Sequence, residues 1–103
     1  MSIDFDKLFD DMLEAAKDSL KGDWDLLTDD AKNEFEELAK CGRDIARKLL
    51  EGTLTKEEAE TLLAIQEDAI NIKLQKFEVS LKVACENAIN AALDVFWKAV
   101  GLK

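Results

Sequence analysis

The residues of this chain that could carry chemistry are two cysteines and many carboxylates, and there is no histidine. Without histidine the commonest general base and the commonest metal ligand are both missing, which excludes Ser-His and Cys-His catalysis. Cys41 and Cys85 lie far apart in helical patterns, so we expect free thiols in a reducing compartment. The sequence therefore predicts no catalytic residue, no metal and no cofactor.

One group of carboxylates resembles the ligands of a calcium-binding loop in its spacing. Four acidic residues have the spacing of ligands in an EF-hand loop: Asp23, Asp25, Asp29 and Glu34. The loop fails at Leu27, where a ligand is needed, and at Thr28, where the turn needs glycine. Thr28 followed by two aspartates is better explained as the cap of a helix, so we expect no calcium site.

The net charge of −9 lies entirely in the N-terminal third of the chain. Residues 1–37 hold thirteen acids and four bases, whereas residues 38–103 hold ten of each. Because such a segment repels phosphates, we expect no nucleic-acid binding. The acidity is either a solvated face or a docking surface for a basic protein partner. The docking surface would include four acidic residues of the first helix: Asp10, Asp11, Glu14 and Asp18.

The beginning of the sequence lacks the features of a targeting segment. No basic stretch precedes an apolar one, and no run of about eighteen uncharged residues occurs anywhere. We therefore expect a cytoplasmic protein that has no membrane span.

The elements that must position these residues are helices, because the chain has no proline and only four glycines. Residues 1–103 are predicted to form a single all-α domain, a bundle of three helices at about 4–21, 29–50 and 56–100. Gly22 is expected to end the first helix in a left-handed conformation. Thr28 caps the second helix, and Thr55 with Glu58 forms a capping box that begins the third.

Gly42 interrupts an otherwise regular apolar seam on the second helix. Glycine costs about 1 kcal/mol relative to alanine inside a helix, so its presence needs a reason. We expect another helix to cross closely at this position.

The third helix is unusually long, since no glycine or proline occurs between Gly52 and Gly101. A continuous helix of about 45 residues would span about 67 Å. One apolar seam runs along it with heptad spacing: Leu63, Ile70, Leu74, Phe77, Leu81, Ala84, Ala88, Ala91 and Val95. From Val79 onward further apolar residues cover most of the circumference, which is typical of a helix in the centre of a bundle.

This apolar excess predicts an oligomeric bundle, with a homodimer as the expected form. The interface is assigned to six residues near the end of the chain: Val83, Ile89, Leu93, Phe96, Trp97 and Val100. The alternative is a monomer in which the helix breaks near Ser80 or Asn87 and the chain forms a four-helix bundle. The functional hypothesis is a non-catalytic interaction or assembly protein. Its alternative is an acidic binding module or inhibitor that engages a basic protein through residues 4–37.

Overall fold

The computed structural model describes residues 3–101, which form four α-helices. The helices are α1 (Phe5–Leu20), α2 (Asp29–Glu51), α3 (Lys56–Lys73) and α4 (Val79–Val100). A short 3₁₀ helix, Lys21–Leu26, joins α1 to α2. The all-α prediction is confirmed, but the prediction of three helices is wrong, because the segment 56–100 forms two helices separated by a turn.

Side-chain caps fix where three of the helices begin. The Asp4 carboxylate accepts a hydrogen bond from the Lys7 amide at 3.0 Å, and the Thr28 hydroxyl accepts one from Ala31 at 3.2 Å. At α3 the capping box is complete, since the Glu58 amide donates to Thr55 Oγ1 and the Thr55 amide donates to Glu58 Oε1. These bonds satisfy amides that the first turn of a helix leaves free, so the predicted starts at Thr28 and Thr55 are confirmed.

The ends of the first two helices differ in one respect from the prediction. Gly52 follows α2 with φ of 77°, a left-handed conformation that glycine adopts without steric cost. At the end of α1, however, Lys21 takes the positive φ, at 53°, and Gly22 does not. The expectation for Gly22 is therefore wrong, because the chain continues into a 3₁₀ helix instead of stopping.

The turn between α3 and α4 has no glycine or proline. Leu74 is buried, and its amide donates to the carbonyls of Ile70 and Asn71. Phe77 donates to the Leu74 carbonyl at 3.0 Å and packs against the core. Glu78 is extended, with φ of −62° and ψ of 152°, which redirects the chain into α4. The break is therefore held by tertiary packing of Leu74 and Phe77 and not by residues that avoid helices.

Because of this turn, α4 packs mainly against α1 and also against α2, while α3 packs against α2. Consecutive helices α3 and α4 make little direct contact. The molecule measures 41 × 22 × 22 Å, so α4 lies alongside the other helices instead of projecting beyond them. Its core contains Met12, Phe35, Leu38, Ile70 and Phe96, each almost fully removed from solvent.

Gly42 lies at the point where α1 and α4 both approach α2. A Cβ atom at this position would lie 2.5 Å from Met12 Sδ on α1 and 3.4 Å from Phe96 Cδ1 on α4. The first distance is too short for any real contact, so the predicted close approach at Gly42 is confirmed.

Candidate interaction surface

The two thiols are unsuited to nucleophilic chemistry. Cys85 is fully buried in the core, and burial, with a smaller contribution from Asp23, raises its pKa to about 11. Burial, helped by Asp44 and Glu37, also raises the pKa of Cys41, which is partly exposed on α2. Because the thiolate is the reactive form, both groups are poor nucleophiles at neutral pH.

The carboxylates do not converge on a site. Between residues 3 and 101, no group of three or more acidic or cysteine residues is arranged to hold a metal ion. No charged or polar residue is buried in that part of the chain. In the segment with calcium-loop spacing, Asp23 lies in the 3₁₀ helix and Asp29 begins α2, so its acids lie on two different elements.

The acidic residues of α1 form one side of that helix. Asp10, Glu14 and Asp18 are exposed, and Asp11 is partly exposed. Lys7 Nζ lies 2.8 Å from Asp11 Oδ2, and this ion pair raises the pKa of Lys7. The four predicted residues therefore share one accessible face of α1.

Most of the six residues assigned to a dimer interface lie in or against the protein's own core. Phe96, Ile89 and Trp97 are buried, at 0%, 3% and 7% exposure, and Trp97 packs edge-on against Phe96 with ring centroids 4.8 Å apart. Leu93 and Val100 are partly buried against the core, and only Val83 is exposed. The premise that one chain cannot cover this helix is wrong, because α1 and α2 cover it.

A different apolar surface lies on the solvent side of α3 and the start of α4. Its large side chains remain 38–75% exposed: Leu62, Ile65, Ile72, Val79 and Val83. We call these five residues the outer stripe. The inner side of α3 carries Ala59, Leu63 and Ile70, all buried, so this helix is apolar on two opposite sides.

Sequence reasoning missed the outer stripe because the Leu63–Ile70 seam already accounted for an amphipathic α3. The signal that could have revealed it is a second set of apolar residues at alternating spacings of three and four. This set is Leu62, Ile65, Ala69 and Ile72.

Between α3 and α4 lies a shallow cleft of about 290 Å³, lined by Leu63, Leu93 and Trp97 and edged by Glu60 and Glu67. Partial burial, with a smaller contribution from Asp68, raises the pKa of Glu67. A single perturbed carboxyl without a partner base or nucleophile does not form a catalytic constellation.

The chain matches no protein family, no curated protein and no solved structure. No helix in residues 3–101 is long and apolar enough to cross a membrane.

Proposed function

We propose that this chain is a non-catalytic helical interaction protein that associates with itself. The observation that carries the proposal is the outer stripe on α3 and α4. Single exposed apolar residues are normal on a protein surface. Here, however, five of the seven large apolar residues that are exposed within residues 3–101 lie on α3 and the start of α4. A concentration of exposed apolar residues on neighbouring elements is typical of interaction sites.

A second copy of the chain is a suitable partner because the stripe carries no net charge. The segment 62–83 contains three acids, Glu67, Asp68 and Glu78, and three bases, Lys73, Lys76 and Lys82. Two copies that meet through this segment therefore have little net repulsion, whereas two copies that meet through the acidic N-terminal third would repel each other. Apolar association of this kind depends little on salt.

Light scattering after size-exclusion chromatography tests the proposal. The wild-type mass should rise toward that of a dimer as concentration increases, and to the same extent at low and high salt. Ile65→Glu should remain monomeric at the same concentrations. Leu26→Glu is the matched control, because Leu26 is 68% exposed but lies in the 3₁₀ helix outside the stripe. A wild-type monomer at every concentration, or equal effects of both variants, would contradict the proposal.

The alternative function is an acidic binding module that engages a basic protein partner through residues 4–37. Its supporting observation is the accessible face of α1 formed by Asp10, Asp11, Glu14 and Asp18. Affinity for a basic protein should then fall steeply with ionic strength and should weaken in an Asp10→Asn, Glu14→Gln, Asp18→Asn variant. Affinity that neither salt nor these substitutions change would exclude this alternative.

A further inference from the structure

The turn between α3 and α4 consists of residues that favour helices. The segment contains no glycine, proline or other residue that ends a helix, and four of its five residues are strong helix formers: Leu74, Gln75, Lys76 and Glu78. The turn therefore depends on the packing of α4 against α1 and α2. If α4 found the same packing elsewhere, nothing in the local sequence would oppose a continuous helix.

Two apolar seams cross this turn without losing register. The inner seam passes from Leu63 and Ile70 through Leu74 and Phe77 to Leu81. The outer stripe also continues, with spacings that alternate between three and four from one end to the other. Its full register is Leu62, Ile65, Ala69, Ile72, Lys76, Val79 and Val83.

Residues with this spacing lie along one side of a helix only if the helix is unbroken from Leu62 to Val83. In the four-helix monomer, the turn separates Ile72 from Val79, and both side chains are exposed, at 62% and 75%. In one continuous helix the same residues form a single seam, and the inner seam lies on the opposite side. Such a helix would bury the inner seam against the bundle and carry the outer stripe as one continuous row on the opposite side.

We infer that α3 and α4 join into one helix of about 45 residues in a domain-swapped dimer, where α4 packs on α1 and α2 of a second copy. Because the swap is a route to self-association, it rests on the function proposed above. The pattern of contacts suits it, since α4 packs on α1 and α2 and hardly touches α3. Each α4 can therefore change chains without losing its core contacts.

The side chains that change from intrachain to interchain contacts in the swap are those of the α4 core. Phe96 and Trp97 are buried, and buried aromatic side chains cover about 150–250 Å² each. Cys85, Ile89 and Ala92 add to the same face of α4. Because the monomer already buries this face, the exchange itself neither gains nor loses core area.

Val79→Pro distinguishes the swapped dimer from other forms of association. Val79 is the first residue of α4, where proline is favoured, and the extended Glu78 before it has a conformation that proline requires of its neighbour. The four-helix monomer should therefore tolerate proline. In a continuous helix, proline would remove the bond to the Gln75 carbonyl and clash with it.

Val79→Ala is the matched control, because it shortens the same side chain and permits a continuous helix. After equilibration near the melting temperature, Val79→Pro should dimerise at least about a hundredfold more weakly than Val79→Ala. Circular dichroism should show that both monomers remain folded. X-ray scattering of the wild-type dimer should show a particle at least about 67 Å long, the length of the continuous helix at about 1.5 Å for each residue, against 41 Å for the monomer.

The outcomes separate this inference from the proposed function. A wild-type dimer that Val79→Pro forms as tightly as Val79→Ala would overturn the swap and leave self-association through the outer stripe intact. A wild-type protein that stays monomeric would overturn both.

Discussion

Gly42→Ala measures how tightly α1 and α4 close on α2. Alanine should gain about 1 kcal/mol from helix propensity. Against this, the added Cβ would lie 2.5 Å from Met12 Sδ and 2.6 Å from Met12 Cε, so the methionine end must move. Met12 is fully buried, which leaves its side chain little space. Overpacking of this kind costs about 1–3 kcal/mol, so we expect a net loss of about 1 kcal/mol.

Urea denaturation followed by circular dichroism provides the measurement, repeated in a Met12→Ala background. Removing the methionine end deletes both of the atoms that the new Cβ would contact most closely. In that background Gly42→Ala should therefore stabilise the protein by about 1 kcal/mol, its propensity gain alone. The two backgrounds should thus differ by about 2 kcal/mol, a coupling typical of residues in direct contact.

The opposite sign would refute the packing argument. If Gly42→Ala stabilises the wild type by about 1 kcal/mol, Met12 moves aside freely and the helices are not tightly packed there. Equal effects in the two backgrounds would show that Met12 is not the group in contact with the new methyl.

Three further predictions concern the caps and the titrating groups. Thr55→Ala should lower the unfolding free energy by about 1 kcal/mol in thermal melts, whereas Thr61→Ala, which lies inside α3, should not, and equal losses would contradict the capping role. Iodoacetamide should modify Cys41 before Cys85, whose pKa is about 11, and mass spectrometry that finds Cys85 modified first would contradict its burial. Because burial raises the Glu67 pKa above 4.5, the folded state binds the extra proton and stability falls as pH rises through that pKa. Glu67→Gln should therefore stabilise the protein at neutral pH but not below the ordinary glutamate pKa, which urea melts at two pH values can check.

The parts of the fold that the sequence predicts correctly are those with local causes. Thr28 and Thr55 mark helix starts because each hydroxyl accepts a bond from an amide three residues later. Gly52 marks an end because it adopts a left-handed conformation. The close approach at Gly42 is predictable too, since glycine inside a regular seam costs stability unless a neighbour needs the space.

The turn after Lys73 has no such local cause, which is why the sequence suggests one long helix. Its residues favour helix, and both apolar seams pass through it in register. What ends α3 is the free energy of packing α4 against α1 and α2, a quantity that depends on the whole bundle. The exposed apolar surface differs from the expected one for the same reason. Because α4 folds back, Phe96 and Trp97 lie in the core, and the apolar residues of α3 and α4 that remain exposed are those of the outer stripe.

The residues from 79 to 100 need apolar cover whichever way the chain runs. With 22 residues, α4 matches α2, which has 23, so one reversal of the chain lets it lie within a bundle 41 Å long. As part of a helix of about 67 Å, the same segment would extend beyond its own α1 and α2 and would need those of a second copy. Both arrangements bury the same side chains of α4, so the core contacts of α4 favour neither one over the other. The difference lies in the turn: the monomer gives up helical hydrogen bonds at 74–78, and the dimer recovers them. Because the second arrangement needs two copies, its population must rise with concentration.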